Sequence, residues 1–152
     1  MRALSLWQPH AQAVALGIKP FETRGWSTDY RGPLAIHAAK RPFRHQDYPR
    51  DYYLQVGARL RDAGFPLHAL DYGRVLCVVD VVGCVPTGYL RGRIGDAWEF
   101  WGDFSDFGDD GKARFAIKLS NVRLIPAHKR PLVTGRQKFF QVPDALIEEA
   151  LR

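Results

Sequence analysis

Three charged side chains lie close together in the segment "GIKPFETRGW", residues 17–26: Lys19, Glu22 and Arg24. In an extended strand, side chains two apart share a face, so Glu22 and Arg24 point together while Phe21 points to the core. Glu22 with Lys19 has the groups for general acid–base cleavage of a phosphodiester, in which the ribose hydroxyl of RNA can attack. The alternative is a charge-decorated surface strand, whose exposed ion pair would contribute little stability.

Two neighbouring stretches favour a site over a decorated surface. Trp7, Gln8 and Pro9 follow the first predicted strand and are expected beside the charged strand, and Arg31 follows the turn after it. Basic and aromatic residues also occur together in "KRPFRH", "YPRDYY" and "RQKFF". Such pairs are typical of proteins that track a nucleic-acid backbone and stack its bases, although each one alone is more simply a solvated basic loop.

The charge distribution favours an anionic partner. The chain of 152 residues has 22 lysines and arginines against 16 acidic residues, a net charge of +6. Six of the acidic residues lie in segment 96–111, which has no basic residue, so the remainder carries a net charge of +12. A basic body of this kind is the usual electrostatic footprint of a protein that meets phosphate, with a merely soluble basic protein as the alternative.

Length and composition predict a single domain over residues 1–152, because 46% apolar residues in a chain of this size supply one sizeable core. The sequence shows no long apolar run or secretory signal, so we expect a cytoplasmic protein without membrane contact and take it to be a monomer. Cys77 and Cys84 lie too far apart in one predicted strand to pair. The five histidines show no metal-ligand spacing, and we expect neither a metal nor another cofactor.

The hydrophobic pattern predicts the elements that position these residues. Alternating or apolar runs indicate six strands, at "RALSL", "PFETRGW", "GPLAIHA", "GRVLCVVDVVGCV", "KARFAIKLSNVRLI" and "RQKFFQV". Helices are expected after Pro9, over "RDYYLQVGARLRDAG" and over "PDALIEEALR". Gly83 indicates a bulge, and the apolar pattern of the fifth strand changes face near Ser120, continuing at Val122 and Leu124. The element order predicts an α+β domain built on a small mixed β-barrel with three to four flanking short helices.

Three separated motifs resemble the ASCH domain family, named for activating-signal-cointegrator homology and part of the PUA-like superfamily. The motif S-L-x-Q-P is present at residues 5–9, G-x-K-x-x-E-x-R at 17–24, and R-G-x-L-x-I-H-A at 31–38. His10 and Ile117 stand where relatives usually or often have tryptophan. The resemblance continues along nearly the whole chain, and it implies a PUA-like β-barrel with a cleft lined by the second motif.

The resemblance implies that this cleft holds nucleic acid, in particular single-stranded RNA, or else a modified nucleoside. Lys19 and Arg24 are then available to a phosphate or a base edge, and Glu22 orients them or accepts a base amino group. The predicted ligand-binding residues are Trp7, Gln8, Lys19, Glu22, Arg24 and Arg31.

The resemblance also leaves an enzyme open. Other ASCH proteins have been proposed as ribonucleases, and small bacterial relatives in the superfamily are amidohydrolases of N-acylated cytidine that use a lysine, a threonine and a distant glutamate. Lys19 matches that lysine, but Glu22 stands at the threonine position, and an adjacent carboxylate favours the ammonium form of a lysine. A ribonuclease with Lys19 and Glu22 as catalytic residues is therefore the preferred enzyme hypothesis, and nucleoside amide hydrolysis the weaker one.

Other polar and aromatic residues allow two interpretations each. His37 could be a proton shuttle near neutral pH or a hydrogen-bonded structural residue. Asp80 and Glu99 could reach the cleft, although Asp80 in a central strand could equally pair with an arginine. Segment 96–111 has five aromatic residues, too many for a solvating tail. It is interpreted either as a lid over the cleft or as a short helix at 96–102 packed on the barrel, with the helix preferred.

Overall fold

The computed structural model describes residues 1–90 and 114–152, and within them each predicted strand forms. The strands are β1 (Arg2–Leu6), β2 (Phe21–Arg24), β3 (Gly32–Ala38), β4 (Arg74–Pro86), β5 (Phe115–Leu124) and β6 (Phe139–Gln141). The helices are α1 (His10–Ala15), α2 (Arg50–Asp62), α3 (Thr87–Leu90) and α4 (Asp144–Leu151), with 3₁₀ turns at His45–Asp47, Leu67–Ala69 and Ala127–Lys129. Glu99 and segment 96–111, interpreted from sequence as a cleft acid and as a lid or short helix, lie outside the described residues.

The six strands form one mixed, curled sheet in the order β2-β5-β4-β3-β1-β6. β1 pairs in parallel with β3, and the other neighbouring strands are antiparallel. The β4–β5 register shifts between Val81 and Gly83, which confirms the bulge predicted at this glycine. The predicted α+β class and small barrel-like sheet are therefore confirmed.

A second irregularity in the β4–β5 ladder gives the change of face predicted near Ser120. The register shifts next to this residue, and Asn121 takes a left-handed φ of 51°. The two apolar residues beyond it do not reach the core, since Val122 is 37% and Leu124 50% exposed. Ile125 is fully buried instead. An additional residue in the bulge restarts the two-residue alternation, which a pattern drawn along a regular strand does not anticipate.

Both faces of the sheet are covered, as the alternation along its central strands requires. Leu4 and Ile36 belong to the cluster beneath α1, whereas Ala3 and Ala35 belong to the cluster beneath α4. α1 is short but buries five consecutive residues, 11–15. α2 forms a third cluster with α1 through its buried Val56 and Leu60 and Ala13 of α1, among other side chains.

Side-chain contacts bring β2, at one end of the strand order, back to β1 and β6 at the other end. Nη2 of Arg24, the last residue of β2, donates to the main-chain oxygen of Ser5 in β1 at 2.9 Å. Trp26, just after β2, packs edge-on against Phe139 of β6, with ring centroids 5.0 Å apart. The curl therefore gathers the ends of three strands at one place, where the candidate site lies.

Two further findings concern the cysteines and the length of the helices. Cys77 and Cys84 are unpaired, and burial raises the pKa of the Cys77 thiol to about 12, which keeps it protonated and unreactive. Across the described ranges, no helix has the length and apolar character needed to cross a membrane.

Candidate functional site: a cationic cleft

A cleft of about 740 Å³ opens where the curled sheet brings its strand ends together. We call it the main cleft. Its walls come from the ends of β1, β2 and β3 and from the segment that precedes β6. The lining residues are Ser5, Trp7, Arg24, Trp26, His37, Ala39, Lys40, Thr134, Gly135, Arg136, Gln137 and Lys138.

The lining of the main cleft is basic and partly aromatic. Arg24, Lys40, Arg136 and Lys138 supply four cations, and no carboxylate occurs among the described residues that line it. Two tryptophans share this surface, of which Trp7 is 54% exposed. Cations on several walls of one concave surface produce a focused positive potential that favours an anionic ligand.

The three charges predicted on the second strand form one chain of ion pairs. Glu22 lies in the middle: its Oε1 is 3.2 Å from Nη2 of Arg24, and its Oε2 is 3.5 Å from Nζ of Lys19. Nζ of Lys19 also donates to the main-chain oxygen of Phe21 at 2.6 Å. The side chain of Lys19 is only 2% exposed, against 26% for Arg24. Lys19 therefore anchors Glu22 from below, while Arg24 reaches the main cleft.

Ser5 and His37 form a hydrogen-bonded pair at the base of the main cleft. They are register partners on β1 and β3, and Ser5 Oγ lies 2.9 Å from His37 Nδ1. His37 Nε2 lies 3.0 Å from the main-chain oxygen of Val133. Since that oxygen only accepts, Nε2 carries the proton and Nδ1 of the neutral ring accepts from the Ser5 hydroxyl. Both ring nitrogens are thereby satisfied, which favours the structural interpretation of His37 over the proton shuttle.

Gly135 lies directly against this pair. A Cβ at position 135 would be 2.4 Å from Ser5 Oγ and 2.6 Å from Cε1 of His37, distances too short for any side chain. His37 is 1% exposed and held at both nitrogens, so it has no room to withdraw. Only glycine allows the segment that carries Arg136 and Lys138 to lie this close to β1 and β3.

Burial lowers the pKa of His37 below its ordinary value of 6.5, because the buried site disfavours the imidazolium. The unfolded chain therefore binds a proton more readily than the folded protein when the pH falls below 6.5. We expect this part of the stability to be complete above pH 6.5 and to be lost progressively below it, with a slope of at most about 1.4 kcal/mol per pH unit. Urea unfolding of the wild type and of His37→Gln between pH 5 and 8 measures this; equal slopes for both would contradict it.

A smaller cavity of about 220 Å³, the side pocket, adjoins the main cleft and shares three of its residues. It is lined by Ser5, Trp7, His10, Glu22 and Arg24. The guanidinium of Arg41 stacks on Trp7, 4.0 Å from the ring centroid, and supports this exposed indole at the pocket entrance. The side pocket is the place where the Glu22 carboxylate becomes accessible.

The six predicted ligand-binding residues are only partly brought together. Trp7 and Arg24 line both cavities, and Glu22 lines the side pocket. Gln8 is 1% exposed and uses its amide internally, since Nε2 donates to the Asp71 oxygen at 2.8 Å and Oε1 accepts from the Gln12 amide at 3.0 Å. It ties the start of α1 to residue 71 and lines neither cavity.

Lys19 and Arg31, the other two predicted ligand-binding residues, line neither cavity. Nη1 of Arg31 donates to the main-chain oxygens of Thr28 and Tyr30. Asp80 is paired with Arg123 at 2.7 Å, as one of its two interpretations predicts, and this ion pair keeps the pKa of Asp80 below its ordinary value.

Several cleft residues have no distinctive sequence signal. Trp26 follows a strand without any motif spacing, and the Ser5–His37 pairing depends on parallel register between strands about 30 residues apart. The basic and aromatic stretches "KRPFRH" and "RQKFF" indicate Lys40, Arg136 and Lys138.

The fold and the cleft define a class of protein: a small α+β domain whose curled mixed sheet gathers cations and tryptophans at one end. The ASCH domain model matches residues 4–103, more than half of the chain. The protein belongs to the ASCH domain family, as the three sequence motifs predicted.

Solved structures of ASCH from Zymomonas mobilis are similar over nearly the whole chain. The crystal structure of that protein gives a TM-score of 0.56 at 13% identity and covers 97% of this chain and 91% of that chain. Its serine-to-alanine variant gives 0.59 at 15% identity, covering 97% and 92%. At these identities the likeness shows the fold alone. No curated protein sequence is significantly similar to this chain.

Proposed function

We propose that the protein binds single-stranded RNA, or a modified nucleoside, in the main cleft. The observation that carries the proposal is the lining itself: four cations, two tryptophans and no carboxylate among the described residues. Cations that follow a phosphate backbone, beside aromatic faces that stack bases, are the standard arrangement for single-stranded nucleic acid. Membership of the ASCH domain family and the basic chain support the same conclusion.

The ion-pair chain supports binding rather than catalysis. A catalytic lysine must reach its substrate, but the side chain of Lys19 is only 2% exposed, donates to the Phe21 oxygen and is paired with Glu22. It lines neither of the two cavities described. Within the described part of the chain, the geometry therefore gives no support to cleavage of RNA or of an amide by Lys19 and Glu22.

The proposal predicts that removing two exposed cations of the main cleft weakens RNA binding but leaves the protein folded. The double variant Lys40→Ala/Arg136→Ala should bind a labelled single-stranded RNA at least about tenfold more weakly at low salt, because two phosphate contacts are lost. The slope of log affinity against log salt should decrease in magnitude by about 1 to 2. Fluorescence anisotropy over a range of salt concentrations measures both quantities.

A matched control removes two exposed cations outside the cleft, Arg61→Ala/Lys118→Ala, with the same change in net charge. This control should keep at least about half of the wild-type affinity if the cleft holds the RNA. Equal losses for both double variants would mean that RNA is attracted by overall charge alone. Absence of any wild-type anisotropy increase at low salt would refute polymer binding, and a rise followed by decay would indicate cleavage.

A further inference from the structure

The side pocket has the size of a compartment for a single base. Its volume of about 220 Å³ lies below the roughly 300–1,000 Å³ of pockets that enclose whole drug-sized ligands. It opens beside Trp7, whose exposed indole offers a stacking surface, and it shares Arg24 with the main cleft. An RNA whose backbone lies in the main cleft can therefore turn one base into the side pocket while the backbone stays bound.

Glu22 presents a carboxylate of fixed orientation to this pocket. Each of its oxygens is held by a cation, Oε1 by Arg24 at 3.2 Å and Oε2 by Lys19 at 3.5 Å. A carboxylate has about four acceptor positions, so each oxygen keeps one for a ligand. The side chain is 12% exposed and lines the side pocket, so a ligand in this cavity can reach the carboxylate. Two adjacent acceptors on a rigid carboxylate match a ligand with two adjacent N–H donors.

Among the four RNA bases, only guanine has two adjacent donors on its Watson–Crick edge, N1–H and the 2-amino group. Adenine and cytosine each have one amino group next to a ring nitrogen acceptor, and uracil has one N–H between two carbonyl oxygens. Those acceptors would meet the negative carboxylate without a hydrogen atom between them, which is repulsive in a partly buried site. The Glu22 carboxylate therefore repels the other three bases as well as attracting guanine.

Arg24 complements the third group on the same edge of guanine. Its Nη2 is occupied by Glu22 and by the Ser5 oxygen, and its Nε is enclosed by the protein. Nη1 has no hydrogen-bond partner among the described residues, and Arg24 lines the side pocket. The O6 carbonyl lies next to N1–H on guanine, so a base paired with Glu22 brings an acceptor towards this guanidinium.

We propose that the side pocket selects guanine, with Glu22 accepting from N1–H and the 2-amino group, Arg24 donating to O6 and Trp7 stacking on the ring. This inference rests on the proposed function, because it names the base that the bound RNA inserts. Charge-assisted hydrogen bonds to an oriented carboxylate are among the stronger ones in recognition.

The test compares oligouridylates that carry one central guanosine, inosine, adenosine or cytidine, and the plain oligouridylate, by fluorescence anisotropy. Inosine is the matched control because it differs from guanosine only by the missing 2-amino group. We expect guanosine to bind best, inosine roughly tenfold more weakly, and the other oligonucleotides at least as weakly as inosine. Glu22→Gln, which replaces one acceptor by a donor, should bind guanosine and inosine equally; the inosine comparison stands even if this variant fails to fold.

The outcomes separate this inference from the proposed function. Equal wild-type affinity for all five oligonucleotides, together with weaker binding by Lys40→Ala/Arg136→Ala, would overturn guanine selection and leave RNA binding intact. If no oligonucleotide binds, the proposal of RNA binding is refuted. The side pocket is then tested by itself with guanosine monophosphate and inosine monophosphate, and tryptophan fluorescence reports their binding. A preference for guanosine monophosphate would support the inference without the polymer, and equal or absent binding of both would overturn it.

Discussion

Gly135→Ala is expected to weaken RNA binding by at least about tenfold and to lower the free energy of unfolding by about 1–3 kcal/mol. The added Cβ would lie 2.4 Å from Ser5 Oγ and 2.7 Å from Nδ1 of His37. Neither neighbour can withdraw, because the two side chains are hydrogen-bonded to each other and His37 is also bonded to the Val133 oxygen. The segment with Arg136 must move instead, and the main cleft loses the geometry of one wall.

Anisotropy with a single-stranded RNA and urea unfolding measure the two effects. Gly25→Ala is the matched control, since Gly25 also adjoins cleft residues but a Cβ there would have no neighbour within 4 Å. We expect this control to change the RNA affinity by less than about a factor of two and the free energy of unfolding by less than about 0.5 kcal/mol. Wild-type behaviour of Gly135→Ala in both assays would show that the segment is free to adjust and does not depend on this contact.

The second large effect is expected on stability, from an ion pair with a buried arginine that lies away from both cavities. Arg130 is 6% exposed and pairs at 2.7 Å with Asp71, which is 30% exposed, while Nε of Arg130 donates to the Ile125 oxygen at 3.0 Å. Asp71→Asn leaves the guanidinium buried without a counter-charge, which we expect to cost about 3 kcal/mol. For a chain of this size the corresponding fall in Tm is about 10 °C. Thermal unfolding measures it.

The chain has an ion pair of equal length that serves as the control. Arg123 and Asp80 are also 2.7 Å apart, and Asp80 is 28% exposed, much like Asp71, but Arg123 is 34% exposed against 6% for Arg130. Asp80→Asn should therefore cost less than about 1 kcal/mol, because water already screens both charges. If the two asparagine variants lose similar stability, burial does not determine the energetic contribution of these pairs.

The strand pattern predicts this fold well because each face of the sheet is buried against a helix. Alternation along β1 and β3 separates the side chains beneath α1 from those beneath α4, and an apolar valine-rich run marks β4 as central. The pattern fails beyond Ser120, where a bulge shifts the alternation and leaves Val122 exposed. Such local irregularities depend on the partner strand and are therefore weakly encoded in the sequence of a single strand.

The sequence predicts only the part of the candidate site that lies on β2 and the residues next to it. The G-x-K-x-x-E-x-R motif identifies Glu22 and Arg24, but it cannot show that Lys19 points inward, because helix end and strand meet there at an angle set by the fold. Gln8 looks like a ligand-binding residue in sequence, yet its amide bonds to residues 12 and 71. The Ser5–His37–Gly135 contact joins three distant parts of the chain, so no spacing in the sequence indicates it.

The strand order has a consequence for when the site comes into existence during synthesis. β1 lies between β3 and β6, so β1 can pair with β6 only after the roughly 130 residues that separate the two strands have been added. The segment with Gly135 and Arg136, which completes the main cleft, directly precedes β6. A ribosome-bound chain that has reached only β5 therefore has the charged motif but not the cleft. The main cleft is therefore complete only in chains whose synthesis has passed β6.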